Sequence, residues 1–122
     1  MQFPPSKISK NSIQLLLTDA FYYVLPYSSD TFLVQLSSSQ VFLRFNSTFI
    51  YIFYNLKIKT ISPDLYNKIN NSFNFKTYEN ENQIRFEYNL SIENGLHSNF
   101  LFTLLHRFEY EVLQAIKLIS EY

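Results

Sequence analysis

The spacing of apolar residues changes several times along the chain, and each spacing predicts a different element. Apolar positions three and four residues apart indicate an amphipathic helix, whereas strict alternation indicates a half-buried strand. The first helical pattern begins after Ser9 or Ser12, runs to Val24 and ends before Pro26. Its last part, Phe21–Leu25, is also typical of a strand, so two readings of that segment remain open.

In the middle of the chain, three short runs rich in aromatic and aliphatic residues predict an antiparallel meander, because alternate positions of each run share one face. Serine and asparagine turns separate its three strands, which are Thr31–Ser37, Gln40–Phe45 and Thr48–Leu56. The sequence Ser-Pro-Asp at 62–64 then combines an N-cap side chain, a proline in the first turn and an early acidic residue. A second helix is therefore expected from this point to about Asn70.

The second half predicts a hairpin followed by a long helix. The hairpin joins Phe73–Tyr78 to Gln83–Ile92, and the second of these strands alternates without interruption. Gly95, the only glycine, marks a sharp turn. Apolar residues at steps of four and three then predict an amphipathic helix over Ser98–Ser120 that lies on a sheet.

Together these elements predict an α+β fold, with a single antiparallel sheet flanked by helices in the order α-β-β-β-α-β-β-α. A length of 122 residues fits one domain, so we expect residues 1–122 to form a single unit. Residues 1–8 contain Pro4 and Pro5 and are expected to be flexible.

The meander differs from the hairpin because it is apolar on both faces. We assign the face that carries the isoleucines to the core. The other face also needs a cover, because contiguous exposed apolar patches are rare on monomers. Aromatic residues and arginine are enriched at protein interfaces, which makes the second face a candidate binding surface. Its residues are Leu33, Phe42, Arg44, Tyr51 and Phe53, and Ile13 and Leu17 of the first helix form a second candidate. In the alternative reading, a helix covers this face and the strands are buried on both sides.

The composition restricts the partners that the chain can bind and the kinds of site that it can form. Ten basic and ten acidic residues give a net charge of zero, so we expect no nucleic-acid partner bound through phosphates. Cysteine is absent and glycine occurs once, which excludes disulfides, thiolate chemistry, zinc–cysteine sites and glycine-rich phosphate loops. The charge is uneven, because residues 1–61 carry five basic and two acidic side chains, whereas residues 62–122 carry five and eight.

No catalytic or metal site is predicted. The only histidines, His97 and His106, are nine residues apart, which is about 13 Å along a helix and too far to share a metal. Glu87, Glu109 and Glu111 are expected at solvent-facing or flanking positions, where nothing activates a catalytic acid. We therefore expect neither an enzyme nor a cofactor.

The sequence also bears on localisation. No apolar run approaches the roughly 20 residues of a membrane helix, and no cleavage pattern follows the first apolar stretch, so we expect neither membrane insertion nor a signal peptide. The lack of cysteine is typical of a reducing compartment and favours the cytoplasm. Residues with codons rich in A and T are frequent, so an organelle stroma is expected if the protein is plastid-encoded.

The segment Asn71–Gly95 resembles the hairpin of the YbjN family. In that family, a strand of the form x-I-R-[FY]-x-[YT]-x-[LI]-x-[IV] precedes a glycine and a long last helix. The matching residues here are Ile84, Arg85, Phe86, Leu90, Ile92 and Gly95. The Ser-Pro-Asp helix start also resembles the family's second helix, and the similarity extends over Ser62–Ile119.

The YbjN family in turn resembles class I type III secretion chaperones, whose elements follow the same predicted order. The resemblance implies a small homodimer that holds an extended stretch of a client by groove and strand-edge recognition, without catalytic residues. We therefore expect a non-enzymatic chaperone or adaptor that holds a partner polypeptide on an apolar surface. The alternatives are a permanent structural subunit of a larger complex and a module with an aromatic pocket for a small ligand.

Overall fold

The computed structural model describes residues 1–121, which form two antiparallel sheets and three α-helices. The strands are β1 (Gln2–Phe3), β2 (Tyr23–Pro26), β3 (Thr31–Gln35), β4 (Gln40–Phe45), β5 (Phe49–Leu56), β6 (Lys76–Asn80), β7 (Gln83–Ser91) and β8 (Leu96–His97). The helices are α1 (Lys10–Asp19), α2 (Pro63–Ser72) and α3 (Ser98–Ser120), and a 3-10 helix spans Pro5–Lys7. Six strands form the large sheet in the order β2-β3-β4-β5-β7-β6, while β1 pairs with β8. The α+β class is as predicted.

The prediction of a single sheet with the order α-β-β-β-α-β-β-α is wrong. One difference occurs at the end of the first helix. Helix α1 ends at Asp19 instead of continuing to Val24, and the chain then forms β2, which pairs with β3. The reversal occurs at Phe21, whose φ of 69° is left-handed and stops further helical hydrogen bonding. Of the two readings of Phe21–Leu25, the strand is therefore correct for the part that forms β2.

Residues 1–8, for which the sequence predicts flexibility, contain regular secondary structure. This segment forms β1, which adds a second, two-stranded sheet with β8, and its prolines introduce the 3-10 helix. Gly95 lies just before β8 with a φ of 88°, and a Cβ at this position would come within 2.6 Å of the carbonyl oxygen of Phe3. Glycine is thus required for both its backbone angle and the close approach of β1.

One face of the large sheet carries the core. Alternate residues of β3, β4, β5 and β7 are buried there: Phe32, Val34, Val41, Leu43, Ile50, Ile52, Ile84, Phe86 and Leu90. The buried apolar residues of α1, α2 and α3 belong to the same hydrophobic cluster. Full burial of a side chain of this size stabilises the fold by about 1.5–3 kcal/mol. The assignment of the isoleucine-bearing face to the core is confirmed.

The predicted helix starts in the second half are confirmed. The hydroxyl of Ser62 accepts a hydrogen bond from the backbone of Leu65 at 3.3 Å, and proline follows at the first position of α2. Nδ1 of His97 accepts a hydrogen bond from the backbone N–H of Asn99 at 3.1 Å and caps α3. Helix α3 has the predicted bounds, because turn chemistry precedes it and its apolar stripe continues without a break.

The turn between β3 and β4 is held by a carboxylate from α3. Glu109 is 5% exposed and accepts hydrogen bonds from three consecutive residues, at 2.7 Å from Ser37 Oγ, 3.0 Å from the Ser38 N–H and 2.8 Å from Ser39 Oγ. Burial acts to raise the pKa of Glu109, but these hydrogen bonds outweigh it, so the pKa lies below its ordinary value. Glu109 is therefore buried instead of solvent-facing, although it flanks the apolar stripe of α3 as predicted.

Candidate functional site

The sheet register brings the five predicted face residues together on the side opposite the core. Leu33 pairs with Phe42 across β3 and β4, and Phe42 pairs with Phe53 across β4 and β5, so these side chains form one row. Arg44 and Tyr51 are paired in the neighbouring row. We call the surface formed by Leu33, Phe42, Arg44, Tyr51 and Phe53 the open face. None of these residues belongs to the hydrophobic cluster that contains the buried residues of the three helices. Within residues 1–121, the helices therefore pack on the other face of the sheet.

The aromatic rings of the open face pack against one another. Phe42 and Phe53 stack with their centroids 4.8 Å apart and their planes within 5°. Tyr27, which follows β2, meets Phe42 edge-on at 5.0 Å, and Phe49 lies 5.8 Å from Tyr51. Such pairs contribute about 0.5–1.5 kcal/mol each beyond the area they bury. Phe53 is only 5% exposed as a result, whereas the outer side of the row remains partly accessible.

Two arginines lie over rings of the open face. The Arg44 guanidinium carbon is 4.6 Å from the Tyr51 centroid, and that of Arg85, on β7, is 4.0 Å from the Phe53 centroid. Arg85 Nε also donates a hydrogen bond to Asn55 Oδ1 at 2.9 Å. These contacts hold both guanidinium groups in place above the rings. Arg85 was not predicted as a member of this site, although its alternate position in β7 places it on this side of the sheet.

A buried carboxylate borders the open face on β7. Glu87 is 5% exposed, and its Oε1 accepts a hydrogen bond from the Tyr78 hydroxyl at 2.8 Å. Burial raises the pKa of Tyr78, and the hydrogen bond and charge of Glu87 raise it further against the opposing effect of Arg85. Glu87 is therefore buried instead of solvent-facing, although its pairing with Phe53 places it on the side of the sheet opposite the core.

The β6 edge of the large sheet is closed by a side chain of α2. Asn70 Oδ1 accepts a hydrogen bond from the Thr77 N–H at 2.7 Å, and Asn70 Nδ2 donates one to the Thr77 carbonyl at 3.4 Å. The amide of Asn70 thus occupies the backbone groups that a further strand would need at this point. Capping of an edge in this way prevents the addition of another chain.

The β2 edge is limited in a different manner. The backbone N–H of Tyr27 donates to the Thr31 carbonyl and therefore faces β3. Because the backbone groups of successive residues alternate in direction along a strand, those of Val24 and Pro26 face outward, away from β3. Proline has no N–H, so this four-residue strand offers a single outward donor, that of Val24. Short edge strands with proline are poor templates for strand addition.

The structure places the two residues of the second candidate surface in the core. Ile13 and Leu17 are both 0% exposed and belong to the hydrophobic cluster beneath the sheet. Their spacing on one side of α1 reflects packing on the core, so neither side chain is accessible to a partner. The exposed apolar residue of this helix is Leu15, which lies on the opposite side.

The two histidines lie apart from the open face. His97 caps α3 as described, and Nε2 of His106 lies 2.8 Å from the hydroxyl of Tyr22. Burial raises the pKa of Tyr22. Within residues 1–121 no group of three or more histidine, aspartate or glutamate residues is arranged to hold a metal ion.

None of the helices in the described part of the chain is long and apolar enough to cross a membrane. No protein-family model, no curated protein and no solved structure matches the chain.

Proposed function

We propose that this protein is a non-enzymatic protein-binding module, a chaperone or adaptor that holds a partner polypeptide on the open face. The observation that carries the proposal is the row Leu33–Phe42–Phe53, which lies on a sheet side that the hydrophobic cluster of the helices does not include. Apolar rows of this kind on a soluble domain are typical of interaction sites. The neighbouring arginines and tyrosine are residue types that contribute strongly to protein interfaces.

The orientation of the rings favours a polypeptide over a nucleic acid. Single-stranded nucleic acids bind aromatic sheets by stacking bases on open ring faces. Here Phe42 and Phe53 cover each other, Arg85 covers the other side of Phe53, and Arg44 lies over Tyr51. The ring edges that remain are suited to van der Waals contact with side chains.

The two sheet edges favour binding across the face over strand addition. Asn70 occupies the β6 edge, and Pro26 leaves β2 with a single outward donor. A partner is therefore held by side-chain contacts on the open face, which departs from the strand-edge recognition that the family resemblance implies. The remaining implications of that resemblance, YbjN-family membership and a homodimer in the cytoplasm or an organelle stroma, are part of the proposal.

The test compares two matched double variants of the tagged protein. Phe42→Asp with Tyr51→Asp introduces two charges on the open face, and Phe100→Asp with Tyr110→Asp introduces the same charges at exposed positions of α3. We expect both variants to retain the wild-type circular dichroism spectrum. A stoichiometric partner that co-purifies from the native host should be lost from the first variant and retained by the second.

The opposite pattern contradicts the proposal. If the α3 variant loses the partner and the open-face variant keeps it, binding takes place elsewhere. If the open-face variant unfolds while the α3 variant does not, the face belongs to the core and the proposal fails.

A further inference from the structure

Strand β7 provides an edge of the large sheet that β6 does not cover. β7 has nine residues and β6 has five, and their pairing begins with Lys76 opposite Glu87. The last part of β7, Tyr88–Ser91, therefore pairs with β5 only. Asn70 covers β6 at Thr77, so its amide does not reach this part of β7. The large sheet thus has a short open edge next to its capped strand.

The backbone groups of this edge point away from the sheet. The N–H of Ile92 donates to the carbonyl of Thr48 at 3.0 Å and therefore faces β5. Because the backbone groups of successive residues alternate in direction along a strand, those of Asn89 and Ser91 face the opposite way. Both residues are exposed, and within residues 1–121 no hydrogen bond outside the strand ladders joins either backbone to another residue. These groups are therefore a template for a further strand.

The chain before β6 turns away from this edge. The N–H of Asn74 donates to Glu111 Oε1 on α3 at 2.9 Å, and Phe75 is packed in the core with only 5% of its surface exposed. An open cavity of about 440 Å³ lies beside this segment, between residues 73–76 and residues 87–89. A further strand can therefore approach β7 here without displacing the chain that leads into β6.

We propose that β7 of a second copy of the chain occupies this edge. Antiparallel pairing about a two-fold axis at Leu90 places Asn89 of each copy opposite Ser91 of the other, and each pair exchanges two backbone hydrogen bonds. This register uses the outward groups of both residues in both copies. It joins the two large sheets into one, with both open faces on the same side. The contact specifies the homodimer that the proposed function includes, and it rests on that proposal.

The length of the edge matches the length of β7 that a second copy can supply. In this register, residue 93 of the second copy would lie opposite Glu87, a position that Lys76 already occupies. Any strand on this edge must leave the sheet at that point. β7 does so, because it ends at Ser91 and the chain turns at residues 93–94. The part of the edge that Lys76 leaves open is thus the part that β7 of a second copy fills.

The charges at this edge also suit a second copy. The residues that face each other within the overlap are uncharged, so no like charges oppose one another there. At each end of the overlap, the register brings Lys76 of one copy beside Glu93 of the other, and both side chains are exposed. Glu87, opposite Lys76, already accepts a hydrogen bond from a tyrosine. Opposite charges therefore meet on either side of the two-fold axis.

Cysteine cross-linking of the full-length protein tests this register, because the chain has no cysteine of its own. Asn89→Cys and Ser91→Cys are purified separately and then mixed under mild oxidation. Opposite residues of a hydrogen-bonded pair have Cα atoms about 5.5 Å apart, which a disulfide spans. Two copies of the same variant place their cysteines on a diagonal of roughly 8 Å, which is too long. We expect the mixture to form roughly tenfold more disulfide-linked dimer than either variant alone.

Sedimentation equilibrium then measures the dissociation constant of the dimer. Asn89→Pro removes the outward N–H of residue 89 and leaves the ladder with β5 intact, whereas Asn89→Ala changes only the side chain. We expect the dissociation constant to rise roughly tenfold in Asn89→Pro, because each copy loses one intermolecular donor, and to stay within about threefold of wild type in Asn89→Ala. Circular dichroism establishes that both variants are folded, and the cross-linking comparison does not depend on them.

Two results would overturn the inference. If the wild-type protein is a monomer at every concentration tested, both the β7 contact and the homodimer are rejected. If the protein is a dimer but the mixed cysteine variants form no more disulfide than the separate ones, the copies meet elsewhere, so the homodimer stands and the β7 contact does not. Binding of a partner on the open face is decided separately by the co-purification experiment above.

Discussion

The buried carboxylate of Glu109 provides a quantitative test of the packing between α3 and the sheet. Glu109→Gln keeps the size of the side chain but removes the charge that accepts three hydrogen bonds from the serine turn at 2.7–3.0 Å. A hydrogen bond to a charged group contributes about 1.5–3 kcal/mol, and bonds that share one carboxylate are not additive. We expect the free energy of unfolding at pH 7 to fall by about 2 kcal/mol, which lowers the Tm by roughly 8 °C in a chain of this size.

The same contacts predict how this difference depends on pH. Burial acts to raise the pKa of Glu109, but the serine hydrogen bonds lower it by more, so the pKa in the folded protein is below the ordinary 4.5. A carboxylate with a depressed pKa stabilises the folded state above its unfolded pKa, and this contribution is lost as the pH falls through the folded pKa. The stability difference between wild type and Glu109→Gln should therefore be largest at neutral pH and shrink below about pH 4.5.

Urea unfolding monitored by circular dichroism at several pH values measures both effects. Glu93→Gln is the matched control, because Glu93 is exposed and its carboxylate accepts no hydrogen bond from residues 1–121; its stability should stay within about 0.5 kcal/mol of wild type. Equal urea midpoints for the two variants at pH 7, or a difference that grows towards acid pH, would refute an ionised carboxylate bound by the turn.

Three further variants test the core, a turn and a sheet edge by urea unfolding. Leu17→Ala should lower the free energy of unfolding by about 2–5 kcal/mol because the side chain is fully buried, whereas Leu15→Ala on the exposed side should change it by less than about 0.5 kcal/mol; equal losses would contradict the placement of α1. Gly95→Ala should cost more than about 1 kcal/mol, because the residue has φ 88° and its Cβ would lie 2.6 Å from a backbone oxygen of β1; a neutral result would contradict this turn. Asn70→Ala should cost about 1 kcal/mol and increase light scattering as the β6 edge is uncovered, and an unchanged monodisperse sample would argue against capping.

Local signals in the sequence are sufficient to predict an element where capping or turn residues mark its ends. Ser62 and the proline after it define the start of α2, and the single glycine precedes α3, so these helices begin where they were predicted. The alternation of β3, β4 and β5 also determines which residues share the open face, because the register preserves the sides that the pattern assigns.

Features that depend on distant contacts were missed. The end of α1 was misplaced because Phe21 adopts a left-handed backbone conformation that is uncommon for an aromatic residue. The sequence has no glycine or asparagine at this position that would indicate the conformation. The pairing of β1 with β8 joins segments that are almost the whole chain apart, so no local pattern predicts it. Glu109 is polar but lies four residues after Leu105 and three before Val112, a spacing that places it beside the buried stripe and could have indicated its role.

Only some of the residues at the open face could be assigned from the sequence. The alternating pattern grouped the open-face residues, yet it could not show that Arg85 folds over Phe53 from the neighbouring strand β7, since the pairing of β5 with β7 is not local in sequence. Ile13 and Leu17 carried a helical spacing that packing and binding surfaces share, and only the position of α1 against the sheet distinguishes the two.

Carbene footprinting of the protein in its native complex tests the central claim most directly. Mass spectrometry would compare labelling of Leu33, Phe42 and Tyr51 with labelling of Tyr110 on the exposed side of α3, in the free protein and in the complex isolated from the host. The account predicts that labelling of the open-face residues falls in the complex while Tyr110 is labelled equally in both. Protection of Tyr110 with unchanged labelling of the open face would contradict it.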